Sequence, residues 1–236
     1  MTLGVSYFGE GRLFAKRVSS PLLVSGDIPD WAYSAVESIL TSLKIVDPET
    51  YAHCLRVGDH ARKLAKFAGL SEYQQRVAQF SGLLHDVGKM GVDLAITHKP
   101  GKLTDTEYDI MRSHPELSEE IIRPLTAHEF FQQILPAVRG HHERVDGQGY
   151  PDKLHGEDVP LISRVILIVD TLDAMGQTRA YRKGLPIDVI YKELERYSGT
   201  QFDASLVRIF LEAHRKHWQK EDVDLDTIHR VTRKAA

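Results

Sequence analysis

A single cysteine, Cys54, stands among 236 residues, which excludes an internal disulfide framework and a thiolate-rich metal site. Long apolar runs are missing too. None approaches the ~20 residues that cross a bilayer as a helix, and Met1–Glu10 lacks the basic and apolar regions of a secretory signal. The expectation is a protein of the reducing cytoplasm, without membrane insertion. Excess positive charge is also lacking: the net charge of −3 argues against a broad basic surface for duplex nucleic acid. An anionic substrate would have to be held by local cations or by metal. Strand alternation is scarce, and only Val5–Phe14 hints at it, where Gly9-Glu10-Gly11 could close a hairpin. What the chain does have is helix signals and twelve histidines, and the clustering of those histidines says more than their number.

The helix signals are local and specific. Ala32, Ala35, Val36, Ile39, Leu40 and Leu43 recur at helical spacing after Asp30. Asp47-Pro48 reads as an N-cap followed by a first-turn proline, opening a helix towards Gly69. Ser71 with Gln74 forms a capping box for the next helix, predicted to end near Gly88, and Thr104 with Glu107 repeats the device. Pro115, Pro160 and Pro186 sit where first helical turns would begin, and Asp203 caps a helix carrying Leu206, Val207, Phe210 and Leu211. The expected fold class is all-α. Residues 1–29 form a lead-in segment, 30–218 the main domain, and 219–236 a charged tail.

The candidate chemistry lies in five stretches. Glu49 and His53 are four apart on one helix face, the spacing by which a helix offers two ligands to a metal; an exposed pair is the commoner meaning. His60 shares that face and reads as structural. His85-Asp86 falls at a helix C-terminus, where an aspartate opposes the helix dipole unless a cation compensates it. Lys89 follows one turn later. His114 precedes a proline, and the adjacent pair His141-His142 follows Gly140 before a turn-rich loop. Asp170 interrupts the apolar stretch Leu167–Leu172 and must be paired or metal-bound; Asp173 is its rival on the same face, and pairing of either with Arg164 is the bland alternative.

In order, these residues resemble the HD-GYP family of metal-dependent phosphodiesterases that cleave cyclic dinucleotides. His85-Asp86 with Gly88-Lys89 matches one signature, and His141-His142 with Gly149-Tyr150-Pro151 matches the other. Lys99-Pro100-Gly101-Lys102-Leu103 and Phe202-Asp203 agree as well, so the resemblance runs from Asp47 to Trp218. It implies an HD-type helical bundle with a C-terminal GYP extension. It also implies a ligand set of Glu49, His53, His85, Asp86, His114, His141, His142 and Asp170 for two or three divalent ions. A glutamate at position 49 favours three. Imidazoles and carboxylates without thiolate suit iron or manganese, with zinc as a further candidate.

The implied reaction is hydrolysis of cyclic di-GMP to pGpG, with further cleavage to GMP left open. A hydroxide shared between ions at Asp86 would attack phosphorus in line. Asp86 and Lys89 are the expected catalytic residues. Lys89, Tyr150, Arg179 and Arg182 are the expected substrate contacts; a solvated helix end for the two arginines and loop packing for Tyr150 weigh equally. Another cyclic dinucleotide such as cyclic GMP-AMP is the alternative substrate. A non-catalytic sensing module that docks a diguanylate cyclase or a separate regulatory partner is a third reading. Departures from the family pattern are Asp173-Ala174-Met175-Gly176-Gln177, Ala180, Val92-Asp93 and Ser118. All of them leave the ligand set intact and bear on substrate fit.

Overall fold

The structure, a computed structural model, describes residues 26–177 and 183–218. The expected hairpin at Val5–Phe14, the charged tail 219–236, and Arg179, Ala180 and Arg182 lie outside those residues. Among the described residues the named elements are helices, in keeping with the all-α expectation, and only isolated bridges such as Asp146 with His155 break the pattern. No helix among them is long and apolar enough to cross a membrane.

Most helices begin where local capping chemistry dictates. Helix α1 (Asp30–Val46) buries Ala32, Val36, Leu40 and Leu43, while Ala35 and Ile39 flank that stripe half-buried. Helix α2 (Pro48–Phe67) is capped by Asp47, whose Oδ1 accepts from the Glu49 and Thr50 amides at 3.1 and 3.0 Å. The Ser71–Gln74 capping box opens α3 (Glu72–Leu84). That helix stops at Leu84 instead of running on to Gly88; a separate 3₁₀ turn, Val87–Gly91, follows. The reason is tertiary. The Gly88 amide donates to Ser118 Oγ at 2.8 Å and the Ser118 hydroxyl donates to the His85 carbonyl at 2.7 Å, so those groups are drawn away from an intrahelical ladder.

Two short helices, α4 (Leu94–Thr97) and α5 (Asp105–Met111), lead to α6 (His114–Ile122), with Pro115 in its first turn. After α7 (Glu129–Arg139) the chain makes the long loop 140–160 and enters α8 (Leu161–Gly176). Residues Leu161 to Val169 of α8 are buried on every side, the mark of a central helix. Helices α9 (Ile187–Arg196) and α10 (Ala204–Ala213) and a π-helical turn, His214–Trp218, complete the bundle. Pro160 and Pro186 sit at the N-cap positions of α8 and α9, one residue earlier than a first-turn placement. Phe80, Phe130, Phe131, Phe202 and Phe210 fill the core.

One contact sets how closely α2 and α3 approach. A Cβ added to Gly82 would lie 2.8 Å from Gly58 Cα, so backbone meets backbone where these helices cross. Neither side can give way. Gly82→Ala is therefore expected to lower stability by about 1–3 kcal/mol, as overpacking does. Urea unfolding of the variant checks this, and a midpoint equal to that of the parent would show that the close crossing is not needed.

Candidate metal centre

Seven of the expected ligands converge beneath the crossing of α2, α3 and α8. His53 projects from the middle of α2 and Asp170 from α8, whereas His85, Asp86, His114, His141 and His142 come from helix ends, where the chain is free to turn towards a common point. His53 Nε2 lies 3.2 Å from His85 Nε2 and 3.1 Å from Asp170 Oδ1. On the other side, His114 Nε2 lies 3.1 Å from His141 Nε2. Asp86 stands between the two sets. Its Oδ2 is 3.5 Å from His53 Nε2 and 3.4 Å from His85 Nε2, and its Oδ1 is 3.1 Å from His114 Nε2. His142 joins His114 and His141 in a donor triad whose atoms lie within 4.8 Å of one another, as do those of His53, His85 and Asp170.

The hydrogen bonds behind these rings decide what the inner nitrogens carry. His85 Nδ1 faces the Gly82 carbonyl at 2.8 Å, His114 Nδ1 the Met111 carbonyl at 2.7 Å, and His141 Nδ1 the Val138 carbonyl at 2.6 Å. A carbonyl only accepts, so each Nδ1 carries the proton and, in the neutral ring, each Nε2 presents a lone pair. The 3.1 Å approach of His114 Nε2 to His141 Nε2 is then lone pair against lone pair. Asp86 Oδ1 is buried without a hydrogen-bond donor. Such a set is unfavourable bare and well suited to cations: nitrogen and oxygen donors, deprotonated, inward-facing and already oriented. The residues present fit divalent metal ions, one on each side of Asp86.

Titration behaviour agrees with that fit. Burial holds the His142 imidazole at a pKa of about 3, reinforced by nearby His114, and burial likewise keeps His141 and His85 below the ordinary imidazole value. These rings are neutral at neutral pH, the form that binds metal. Burial opposes the Asp86 carboxylate, but Lys89 and the surrounding imidazoles outweigh it and keep the acid ionised. His53 is the exception. Burial works against its charge, yet hydrogen bonds to Asp170 and Asp173 raise it to about 9.

The rival aspartates are resolved by their partners. Asp170 faces the ligands, while Asp173 sits behind His53, accepting from its Nδ1 at 2.7 Å and from Arg56 Nε at 2.6 Å. Asp173 thus holds a ligand ring in place. Arg164 pairs with neither aspartate and donates to Asp203 at 2.6 Å instead. Lys89 Nζ lies 2.6 Å from Asp86 Oδ2, so its ammonium abuts the carboxylate between the two donor sets. Glu49 is exposed on the first turn of α2, one turn before His53, and stands outside the three donor groups. His60 stacks on Trp218 with centroids 5.5 Å apart, in keeping with a structural role. Arg179 and Arg182 fall outside the described residues.

The loop after His142 is built onto the centre. Buried Glu143 accepts from the backbone amides of Asp152, Lys153 and Leu154 at 2.6, 3.0 and 3.0 Å, folding the loop back beside the ligands. Gly149 is required there, because a Cβ would lie 2.4 Å from the Arg144 amide nitrogen. Tyr150 stacks on His142 with centroids 4.7 Å apart, and Arg112 covers its ring at 4.6 Å. Gly88 is equally constrained, since a Cβ would lie 2.2 Å from the His114 carbonyl oxygen. Sequence reading missed Glu143 and Arg112. A glutamate directly after two histidines was the one available hint, and its loop partners could not be foreseen.

Comparison with known proteins agrees with this geometry. The profile of the family described as HD domain matches residues 38–206. A 3'3'-cGAMP-specific phosphodiesterase of Vibrio cholerae is 34% identical over 82% of this chain and 36% of its own length. A cyclic di-GMP phosphodiesterase of Thermotoga maritima is 31% identical over 85% of this chain and 55% of its own. The chain thus spans about a third to about half the length of these curated relatives. Among solved structures, a cyclic GMP-AMP phosphodiesterase of V. cholerae superposes with a TM-score of 0.62 at 18% identity, covering 85% of this chain and 53% of that one, a likeness of fold. The HD domain match over most of the chain, the His85-Asp86 pair beside its neighbouring imidazoles and the Gly149-Tyr150-Pro151 loop packed on His142 together show that this chain belongs to the HD domain family, in its HD-GYP branch.

Proposed function

We propose that this chain is a metal-dependent phosphodiesterase that hydrolyses cyclic di-GMP to pGpG, with GMP as the product if a second cleavage follows. The observation that carries the reading is the Asp86 carboxylate, set between two groups of inward-facing imidazole nitrogens with one oxygen towards each. Iron or manganese suits the donor set, and zinc is compatible with it. Divalent ions held by these residues would supply Lewis acidity for activating water and charge to offset that of the phosphate. Relatives named for cyclic di-GMP support the substrate, and those named for cyclic GMP-AMP support that dinucleotide as the second reading.

The chain's own residues supply the remainder. Asp173, backed by Arg56, fixes the Nδ1–H of His53 so that its Nε2 points inward. Lys89 brings an ammonium to the edge of the centre, placed to meet a phosphate oxygen. Burial opposes the Lys89 charge, but the neighbouring Asp86 keeps it protonated. Tyr150 braces His142 and closes one side of the site against water. Cys54 is no nucleophile: burial pushes its thiol well above the usual range, as does the negative charge of Asp86. No covalent intermediate on the chain's single cysteine is therefore part of the proposal. Arg179 and Arg182 remain the proposed contacts for the second phosphate or a base. A diguanylate cyclase or a separate regulatory protein is the proposed partner.

Three outcomes test this reading. Asp86→Ala is expected to lose bound metal and cyclic di-GMP turnover together, measured by elemental analysis and product chromatography on anaerobically purified protein; full turnover in that variant would refute the proposal. Glu49 is the proposed ligand of a third ion beyond the two donor triads, so Glu49→Ala is expected to reduce the metal count by about one and leave two ions in place, and an unaltered count would remove Glu49 from the ligand set. Metal affinity is expected to rise with pH. The His53 proton, held to about 9, must leave when the ring ligates, whereas His142, His141 and His85 are already neutral. One proton released per binding event gives about a tenfold gain per pH unit between about pH 6.5 and 8.5. Chelator competition reads this slope, and an affinity independent of pH would contradict it.

A further inference from the structure

Several arginines among the described residues are engaged by carboxylates. Arg56 holds Asp173, Arg139 holds Asp152, Arg144 holds Asp146 and Arg164 holds Asp203. Arg112 differs. Its guanidinium lies 4.6 Å from the Tyr150 ring centroid and 5.7 Å from that of Tyr108, and among the described residues it has no acidic partner. Contact with aromatic rings does not use up the N–H donors of a guanidinium, which stay available to another group. The row continues inward, because Tyr150 stacks on His142 of the candidate centre. It ends outward at Tyr108, whose side chain is 50% exposed. A flat, exposed ring beside an uncommitted planar cation, one step from a phosphate-handling site, is not what a bare phosphate needs.

We propose that Tyr108 and Arg112 form a nucleobase subsite that selects guanine. This assignment rests on the phosphodiesterase reading for its placement beside the scissile phosphate. Tyr108 offers the base a stacking face, as exposed aromatic rings do in single-strand recognition. Arg112 offers two adjacent donors to the base edge. Guanine presents two acceptors there, O6 and N7, and matches that fork; adenine presents one acceptor and one donor, N6, and does not. The pair therefore discriminates between purines as well as binding them. Lysine cannot replace arginine, because its ammonium neither lies flat between two rings nor offers a paired fork.

Equilibrium titration of the metal-loaded chain tests this with three probes: linear pGpG, linear pApA and inorganic phosphate. The parent protein is expected to bind pGpG at least about tenfold more tightly than pApA. Arg112→Ala and Arg112→Lys are each expected to erase most of that preference. Tyr108→Ala, which alters an exposed ring that does not touch the ligands, is expected to weaken both dinucleotides about fivefold and phosphate by less than about twofold. No guanine preference in the parent, or an unchanged preference in both Arg112 variants, would overturn the proposal. If Arg112→Ala loses metal by elemental analysis, Tyr108→Ala decides, and unweakened dinucleotide binding in that variant overturns it as well. Selective binding without turnover in the parent would sink the phosphodiesterase reading and leave the subsite standing.

Discussion

A buried carboxylate facing two sets of unprotonated imidazole nitrogens is the constraint on which this structure depends. Asp86 is 1% exposed, and its Oδ1 has no hydrogen-bond donor. Protein interiors do not leave such an atom bare without compensation, because desolvating an ionised group is among the largest penalties in folding. Lys89 answers for Oδ2 alone. The opposing lone pairs of His114 and His141 raise the same demand on the other side. Cations between the donors meet both demands at once, and this makes the constellation a centre instead of a collection of core histidines.

The bundle serves that constellation by holding the back of each ring. Backbone carbonyls from the preceding turn fix His85, His114 and His141, and a charge pair of Asp173 with Arg56 fixes His53. Helix ends are the natural place for such ligands. Their last carbonyls are unclaimed by the helix and can accept from Nδ1, while the chain leaves the helix axis and turns the ring inward. Close packing completes the frame. Gly58 against Gly82 sets the distance between α2 and α3, and Gly88 against the His114 carbonyl sets the distance between two ligand-bearing turns. Glu143 then gathers three loop amides, so the Gly-Tyr-Pro segment lies on His142 instead of spreading into solvent.

How much of this was legible in the chain depends on how local each interaction is. Helix starts could be read from sequence because a cap and the amides it satisfies are two or three residues apart, as with Asp47, Ser71 and Asp203. The end of α3 could not, since Ser118, some thirty residues away, takes the hydrogen bonds that would have continued the helix. The candidate donors were readable from histidine–aspartate clustering and from family resemblance. The division of labour between Asp170 and Asp173 was not: both share a face of α8, and Arg56, distant in sequence, holds Asp173 behind His53 and leaves Asp170 among the donors. Arg112 was invisible for the same reason. Its significance lies in the carboxylate it lacks and the rings it meets, neither of which leaves a mark in sequence spacing.

The most direct measurement is anomalous X-ray diffraction from crystals grown with manganese or ferrous iron, collected on both sides of the metal's absorption edge. The account predicts separate anomalous peaks on the two sides of the Asp86 carboxylate, one among His53, His85 and Asp170 and the other among His114, His141 and His142. A map with no peak at either position, under conditions where the metal is bound elsewhere on the protein, would contradict it.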